Sequence, residues 1–557
     1  MEFFYPQSSR DIFTDRRAIL CQLKATTRNM IEGKPQQIAI FGPRRIGKTL
    51  LLKEYMYRLL KSQKEVVPVF MDFQELCISP EVFVSGFICQ LYYWLYEQGS
   101  TNPQHYYSLS HVLKKAIAKQ DFLAIQTIEE VQNQLSRRNP DRFFLLTLAF
   151  NFPQELAMAT GRHLLFIWDE FQSIEGLNNY PGVGNVLGLF RAAMQRQGDV
   201  SYFLSGSAIT IINRIISDHN SPLFAQFDRY SLAPFNKDST RELVLKILPE
   251  LKNPDLQQEI YHLTCGNPFY ITILCNKIRD LVRNFSLIDS GLIRTAFILE
   301  ALSKNGKIYA HCQYIYDLSL RQATGFGALR NILRLLAQEE GQTTAELARK
   351  LRVSHQTTGE YLRSLLNVDL IVERKKKYYY VDSVLRYWVA NVGQGIDIEY
   401  LPSEELLGEL IPQLVEQIQR TSSELGTAKE SEIRELLRAL SNKEVPGKLL
   451  GTSEPAIQFP CFEDVIQYRS KDGQIEVDCL ANTDHGNWAV EVKWRTKVIG
   501  VEEVQKFQNK CKKIAQYLWF VSKSGFTQNA QHYCKEQRIY FTDEAALREL
   551  KNKTLLP

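Results

Sequence analysis

The 557-residue sequence lacks long apolar stretches, paired cysteines and a strong excess of charge of one sign. Its longest apolar segments, such as residues 143–152, fall well short of the roughly 20 residues that a membrane-spanning helix needs. We therefore expect no transmembrane span. Residues 1–5 lack the basic and apolar regions of a secretory signal peptide, and none is expected.

Ten cysteines are scattered along the chain, and no two of them form a C-x-x-C pair. This pattern favours reduced thiols in a cytoplasmic protein over disulfides or a zinc site. The net charge of +5 permits nucleic-acid binding by a local basic patch but does not by itself indicate it. An apolar content of 45% is ordinary for a globular chain. The length suggests roughly three to four domains.

The most informative stretch is residues 37–60, where a short apolar run enters a glycine-bounded loop and leaves as a helical pattern. This strand–loop–helix order is the context that a P-loop requires, and it disfavours the alternative of a chance glycine-rich turn. Two glycines let successive N–H groups point at one anion, and the helix aims its positive end at the same place. Lys48 would neutralise phosphate charge, and Thr49 would place its hydroxyl on Mg²⁺. The predicted nucleotide-binding residues, for ATP with Mg²⁺, are Gly42, Pro43, Arg44, Arg45, Ile46, Gly47, Lys48, Thr49 and Leu50.

A second apolar strand, residues 163–168, ends in two carboxylates, which is the Walker B pattern. Asp169 would hold Mg²⁺ directly or through water. Glu170 would polarise the attacking water as a general base. An apolar run before Asp-Glu is weak evidence alone, and the alternative is a strand ending in a solvated acidic turn. Its position after the P-loop and an intervening strand, residues 66–73, favours the Walker B interpretation.

Polar residues also follow the next predicted strand, residues 200–204. Ser205 and Ser207 are candidates for sensing a γ-phosphate, and a simple turn is the alternative. Arg229 is a candidate for reaching the γ-phosphate of this molecule or of a neighbour, and its alternative is a surface salt bridge. We further predict helices over residues 11–32, 80–98, 110–136 and 236–300, and a fifth strand ending near residue 235.

Residues 1–300 resemble the archaeal-type P-loop ATPases related to the STAND class. The matching stretches are Phe13-Thr14-Asp15-Arg16, Gly42-Pro43-Arg44-Arg45-Ile46-Gly47-Lys48-Thr49, Trp168-Asp169-Glu170, Ser205-Gly206-Ser207, Ser221-Pro222-Leu223-Phe224 and Gly266-Asn267-Pro268. One departure concerns the arginine role, because the family has Gly-Arg where this chain has Ala225-Gln226, and Arg229 would be the substitute. The resemblance implies an AAA+ core with a helical lid, and ATP-dependent self-association.

Residues 326–381 have the order helix, helix, helix, hairpin, which predicts a winged helix-turn-helix. Thr343 with Glu346 predicts a capping box for the second helix, and Ser354 would cap the third. The third helix would enter a major groove while the basic hairpin tip contacts phosphates. The alternative is a spacer packed on the lid. Residues 380–388 extend the ATPase resemblance to about residue 392. The predicted DNA-contact residues are His355, Gln356, Thr357, Arg363, Lys375, Lys376 and Lys377.

Two carboxylates and a lysine meet on a predicted hairpin nearer the C-terminus, formed by residues 475–481 and 488–494. Period-2 alternation puts Glu491 and Lys493 on one face, where they can converge with Asp478. Asp478 and Glu491 would bind Mg²⁺ through oxygen, and Lys493 would orient or activate the water that attacks phosphorus. The alternative is a salt-bridged surface hairpin or a degenerate site. A helix over residues 501–516 and a strand over 517–522 are predicted to follow.

This region resembles the PD-(D/E)XK nuclease fold, and specifically the nuclease-like domain appended to these same ATPases. The resemblance carries catalytic roles onto Asp478, Glu491 and Lys493, and it implies a further glutamate from an earlier helix, for which we take Glu432.

The predicted fold is therefore α/β, with an ATPase core at residues 1–235, a helical lid and connector at 236–325, a winged helix at 326–395, a helical linker at 396–445 and a nuclease-like domain at 446–557. The predicted function is ATP hydrolysis coupled to DNA binding and metal-dependent DNA cleavage. The alternative is an ATP-switched DNA-binding regulator whose last domain is not catalytic. ATP and DNA are the expected partners, and no membrane is expected.

Overall fold

The protein forms two compact units, Met1–Ile411 and Pro412–Pro557. A computed structural model describes residues 4–106, 108–282, 288–322, 326–392, 408, 410–412, 414, 433–434, 436–462, 464–469, 476–483, 486–494, 498–512 and 514–554. No helix within these residues is long and apolar enough to cross a membrane. All ten cysteines lie in the described ranges and are free thiols.

A parallel sheet forms the centre of the first unit. Its strands are β1 Ile38–Phe41, β2 Val66–Asp72, β3 His163–Asp169, β4 Val200–Gly206 and β5 Asp228–Ser231. They lie in the order β2–β3–β4–β1–β5. β1 precedes the glycine loop, and β3 ends at the acidic pair. Because β4 lies between them, the carboxyl ends of β1 and β3 are separated by only one strand. The sheet centre is apolar, and Leu164 to Trp168 of β3 are all fully buried.

Helices cover this sheet and continue beyond it. In chain order they are α1 Gln7–Ile12, α2 Arg17–Ile31, α3 Lys48–Ser62, α4 Phe73–Leu76, α5 Pro80–Tyr96, α6 Leu109–Lys119, α7 Phe122–Leu135, α8 Arg142–Thr160, α9 Val186–Met194, α10 Ile209–Ser217, α11 Lys237–Ile247, α12 Pro254–Thr264, α13 Pro268–Val282, α14 Ser290–Leu302 and α15 Lys307–Gln322. Short 3₁₀ turns occupy Pro103–Tyr106 and Phe171–Asn179.

Two helices predicted as continuous are each broken in the structure. The helix predicted over 11–32 is interrupted at Asp15 and Arg16, whose φ angles of 62° and 66° are left-handed. The helix predicted over 110–136 is interrupted at Gln120, with φ 56°, and Asp121 then caps α7 by accepting the Ala124 N–H at 3.1 Å. The fifth strand is also shorter than predicted, ending at residue 231 rather than 235.

The order of elements predicted for residues 326–381 is observed. The elements are α16 Phe326–Gln338, α17 Thr344–Leu351, α18 His355–Asn367, β6 Ile371–Arg374 and β7 Lys377–Tyr380, followed by α19 Ser383–Val392. The capping box of Thr343 and Glu346 is present, and Ser354 caps α18. The hairpin turns at Lys375 and Lys376, whose φ angles of 52° and 60° suit a two-residue turn between antiparallel strands.

The second unit contains the elements β8 Glu444–Pro446, β9 Ala456–Gln458, β10 Asp464–Arg469, β11 Glu476–Asn482, β12 Trp488–Lys493, α20 Val501–Cys511, β13 Tyr517–Ser522, α21 Gln528–Glu536, β14 Tyr540–Thr542 and α22 Glu544–Thr554, with a 3₁₀ turn at Gly447–Leu450. A mixed sheet has the order β10–β11–β12–β13–β14, in which the first two pairs are antiparallel and the last two are parallel. The helix predicted over 501–516 therefore ends at residue 511. Glu432 and most of the predicted helical linker lie outside the described residues.

Candidate functional site

The glycine loop between β1 and α3 encloses a lysine amine. Gly47 has φ 97° and directly precedes α3. At Gly42 an added Cβ would lie 2.6 Å from the carbonyl oxygen of Leu232, so the loop has no room for a side chain there. Lys48 Nζ donates to the carbonyl oxygens of Gly42 at 2.8 Å and Pro43 at 2.9 Å. The loop therefore curls around the lysine as a P-loop does.

Burial makes the charge on Lys48 sensitive to its surroundings. The residue is only 5% exposed. Burial lowers the pKa of Lys48 to about 8, and the negative charges of Glu170 and Asp169 partly offset that effect. A bound polyphosphate would favour the charged amine further, because an opposite charge stabilises the protonated form.

The structure joins three residues that were predicted on separate segments. Asp169 lies at the carboxyl end of β3 and is 3% exposed. The hydroxyl of Thr49 donates to its Oδ2, and the hydroxyl of Ser205 donates to its Oδ1. Carboxylate and hydroxyl oxygens are ligands that Mg²⁺ accepts, so the donor set at Asp169 and Thr49 fits this ion.

The second carboxylate is held by its own partners. Glu170 has φ 51°, a left-handed conformation that is costly for a glutamate and often occurs at functional sites. Its Oε2 accepts a hydrogen bond from Ser207 Oγ at 2.8 Å and another from the side-chain amide of Gln172. Ser207, a predicted sensor, therefore contacts the predicted general base.

Two charged residues near this cluster were missed from the sequence. Asp72 ends β2 directly beside Asp169 on β3. Burial, and then the like charges of Asp169, Glu75 and Glu170, raise the pKa of Asp72 to about 6, against one backbone hydrogen bond that lowers it. Burial lowers the pKa of Lys53 on α3, while Asp169 and Asp72 oppose that shift. Its position at the end of a strand next to the Walker B strand could have identified Asp72 as a site residue.

The arginines of this region have different positions. Arg229 is exposed on β5 opposite Ala39 and donates to Ser217 Oγ at 2.8 Å, so the structure does not join it to the carboxylate cluster. Arg16 donates to the carbonyl oxygens of Ile46 and Ala233 at 3.2 and 2.8 Å, which ties the loop to the chain after β5. Within the loop, the guanidinium groups of Arg44 and Arg45 lie over the rings of Tyr314 and Phe269, at 5.8 and 5.1 Å.

The predicted DNA-contact residues lie mostly at the surface. His355, Gln356 and Arg363 of α18 are exposed, as is the hairpin tip at 375–377, and Thr357 is half-buried. The other end of α18 is docked on the ATPase core. Asp369 accepts the N–H of Thr210 at 3.2 Å and its hydroxyl at 2.6 Å. Asp369 thereby caps α10, the helix that starts two residues after Ser207.

Replacing Asp369 by alanine should loosen the start of α10 by about 1 kcal/mol, the usual contribution of a helix cap. Ala208 at the N-cap position of α10 makes no side-chain cap hydrogen bond of its own. Amide hydrogen exchange in α10 should therefore become about fivefold faster. Asp369→Asn keeps an acceptor oxygen and serves as the control. Unchanged exchange in the alanine variant would show that this contact does not hold the helix.

In the second unit the structure places Asp478, Glu491 and Lys493 together on neighbouring antiparallel strands. Asp478 Oδ2 accepts the backbone N–H of Val492 at 2.7 Å. Lys493 Nζ donates to Glu491 Oε1 at 2.5 Å. Burial and then the negative charge of Glu491 raise the pKa of Asp478, against the lowering effects of the Val492 N–H and nearby lysines.

A second lysine, missed from the sequence, completes this cluster. Lys510 on α20 donates from Nζ to Glu491 Oε2 at 2.6 Å. No spacing rule connects Lys510 with a Glu-x-Lys pair, so only the fold reveals it. Within the described residues no group of three or more His, Cys, Asp or Glu side chains could hold a metal. Two carboxylates nevertheless fit Mg²⁺, which usually keeps several waters and takes one or two carboxylates together with substrate phosphates.

Comparisons with known proteins match both units. Residues 13–274 match the family model of an ATPase domain predominantly from Archaea, and residues 462–551 match the model of a restriction endonuclease. These matches and the two sheets confirm the predicted α/β architecture. No curated protein matches the sequence.

Solved structures similar to this chain include the following three. A Walker-type ATPase of Pyrococcus abyssi is 18% identical, with a TM-score of 0.45, covering 68% of this chain and 96% of that chain. The ORC2 protein of Aeropyrum pernix is 14% identical, with a TM-score of 0.41, covering 68% and 93%. The RuvB Holliday junction branch migration motor of Thermotoga maritima is 12% identical, with a TM-score of 0.34, covering 71% and 99%. The two family matches show that the chain carries an archaeal-type ATPase domain followed by a restriction-endonuclease-like domain.

Proposed function

We propose that this protein is an ATP-regulated, Mg²⁺-dependent DNA endonuclease, in which ATP binding at the P-loop licenses cleavage by the second unit. The observation that carries the proposal is the cluster of Asp478, Glu491 and Lys493 inside a domain that matches a restriction endonuclease. The same chain carries a P-loop whose Thr49 is hydrogen-bonded to Asp169. A nuclease site and an ATPase site on one chain favour control of one by the other.

The nuclease residues have distinct roles in this proposal. Mg²⁺ held by Asp478 and Glu491 would polarise the phosphate and lower the pKa of a bound water. Lys493 orients the water whose oxygen forms the new bond to phosphorus. The bond from phosphorus to the leaving nucleoside oxygen breaks. The attacking water gives one proton to solvent, and the leaving oxygen takes one proton from solvent. The partial burial of this cluster strengthens each charge interaction.

The ATPase residues also have distinct roles in this proposal. Lys48 and the backbone N–H groups of the loop bind the β- and γ-phosphates. Thr49 and Asp169 would hold the Mg²⁺ that accompanies ATP. Glu170 accepts the proton of the water that attacks the γ-phosphate, so that ADP and inorganic phosphate form. Ser207, which donates to Glu170 at 2.8 Å, positions that base.

The direct test is cleavage of supercoiled, linear and single-stranded DNA by the full-length protein in Mg²⁺, with and without ATP. We expect cleavage that EDTA abolishes and that ATP increases. Failure to cleave any of these DNA forms, with no difference between wild type and Asp478→Ala, would overturn the nuclease proposal.

A second candidate function is an ATP-switched DNA-binding protein whose C-terminal domain holds DNA without cutting it. Two observations favour it. Both carboxylate oxygens of Glu491 are bonded to lysine amines, which compete with a metal for the charge of this carboxylate. The three lysines at 375–377 are exposed at the tip of a hairpin, where the wing of a winged helix would contact phosphates.

Replacing Lys375, Lys376 and Lys377 together by glutamate should weaken DNA binding strongly. Loss of three phosphate contacts should also reduce the slope of log affinity against log salt by about three. Lys114, Lys115 and Lys119, which are exposed on α6, provide a matched triple control. The measurement is binding to a fluorescent duplex over a series of salt concentrations. Unchanged affinity and slope in the 375–377 variant would exclude the hairpin tip as a DNA contact.

A further inference from the structure

The carboxylate of Glu491 lies between two amines that come from different elements. Lys493, on the same strand, bonds Oε1 at 2.5 Å, and Lys510, on α20, bonds Oε2 at 2.6 Å. The side chain of Glu491 is 9% exposed, so water has little access to either oxygen. Both of its oxygens are therefore held by the protein itself.

This arrangement balances the charges of the cluster. Asp478 and Glu491 contribute two negative charges when ionised, and Lys493 and Lys510 contribute two positive charges. A divalent cation bound to Glu491 would compete with these lysines for the negative charge of the same carboxylate. Movement of one lysine away from Glu491 would therefore favour formation of the proposed metal site.

We take Lys510 as the lysine that leaves, because Lys493 is already assigned to orient the attacking water. The side chain of Lys510 is 27% exposed, against 34% for Lys493, and its amine lies 5.9 Å from the centre of the Phe507 ring. A lysine is a compact charge on a flexible stem and can exchange one anionic partner for another. The phosphodiester that the site would receive is such a partner.

We propose that Lys510 is a second basic residue of the nuclease site, one that holds Glu491 Oε2 in the metal-free protein and moves to a phosphate oxygen of DNA when Glu491 binds a divalent cation. The inference rests on the proposed function for the location of the DNA phosphate. An ordinary structural salt bridge would hold Glu491 in the same way but would make no contact with DNA.

The test is DNA binding by the full-length protein with and without Ca²⁺, used as a cation that takes oxygen ligands. We compare wild type, Lys510→Met and the control Lys506→Met, which alters an exposed lysine of the same helix. In Ca²⁺, Lys510→Met should bind DNA about tenfold more weakly than wild type, the loss expected for one charged hydrogen bond. Without a divalent cation the two proteins should bind equally, because Lys510 is then bonded to Glu491. Lys506→Met should behave like wild type in both conditions.

Cation binding supplies a readout that needs no DNA. The proteins are titrated with Mn²⁺, and Asp478→Asn identifies the part of the binding curve that belongs to this site. Lys510→Met should bind Mn²⁺ about fivefold more tightly than wild type, because a competing ion pair has been removed. Loss of DNA affinity that is equal with and without Ca²⁺, or no loss at all, would overturn the proposal. Both measurements are independent of cleavage, so an inactive wild type would refute the proposed function without deciding the role of Lys510. If Lys510→Met does not fold, Lys510→Gln supports the same comparison.

Discussion

Replacing Glu170 by glutamine should lower ATP hydrolysis by at least about a hundredfold, the usual contribution of a general base, while ATP affinity stays near that of wild type. The amide has the shape of the carboxylate but cannot accept a proton from the attacking water. Ser207 and Gln172 would still hold the side chain by hydrogen bonds, so the site should keep its form. Phosphate release and binding of a fluorescent ATP analogue measure the two effects separately.

Two further variants are compared with Glu170→Gln. Lys48→Ala should lose nucleotide binding as well as hydrolysis, because it removes the charge that the loop encloses. Glu155→Gln, which changes an exposed glutamate of α8, should be indistinguishable from wild type. Hydrolysis at the wild-type rate by Glu170→Gln would remove Glu170 from the role of general base.

Replacing Asp478 by asparagine should reduce DNA cleavage by about a thousandfold, because the site loses one of its two negative ligands for Mg²⁺ and with it several kcal/mol of transition-state stabilisation. The fold should survive this change. Asparagine retains an oxygen that can accept the Val492 N–H, now bonded at 2.7 Å. Initial rates of plasmid nicking over a Mg²⁺ series measure the loss.

The stability of Asp478→Asn gives an independent check. Burial and Glu491 raise the pKa of Asp478, so its charged form is disfavoured by folding at neutral pH. The Asp478→Asn variant should therefore unfold at the same temperature as wild type or at a higher one.

Asp543→Asn, which alters a helix cap in the same unit, is the control for the cleavage measurement. Retained cleavage by Asp478→Asn would contradict the assignment of the site.

Sequence reasoning worked best where a few adjacent residues carry the chemistry. The P-loop is a contiguous segment, and its lysine lies where the loop pattern places it. The contact of Glu491 with Lys493 follows from strand alternation, because residues two apart share a face. Thr49 and Asp169 are 120 residues apart; the P-loop and Walker B patterns assigned both to Mg²⁺, and in the structure the two side chains are hydrogen-bonded.

Features that depend on a single backbone angle or on a distant element were not predictable. Arg16 and Gln120 are ordinary helix residues, so periodicity gave no sign that each would break a helix with a left-handed φ. Lys510 reaches Glu491 only because α20 packs beside the sheet. Arg229 was assigned by its distance along the chain from a family motif, and the structure instead places it on an edge strand bonded to Ser217. In each case tertiary contacts decided the outcome.

The measurement that bears most directly on the central claim is the rate of cleavage of one DNA substrate in Mg²⁺, with and without ATP, in wild type and in Lys48→Ala. If nucleotide binding controls the nuclease site, ATP should raise the wild-type rate by at least about fivefold, the lower end of allosteric coupling, and should leave Lys48→Ala unchanged. Equal wild-type rates with and without ATP, or the same increase in Lys48→Ala, would contradict it.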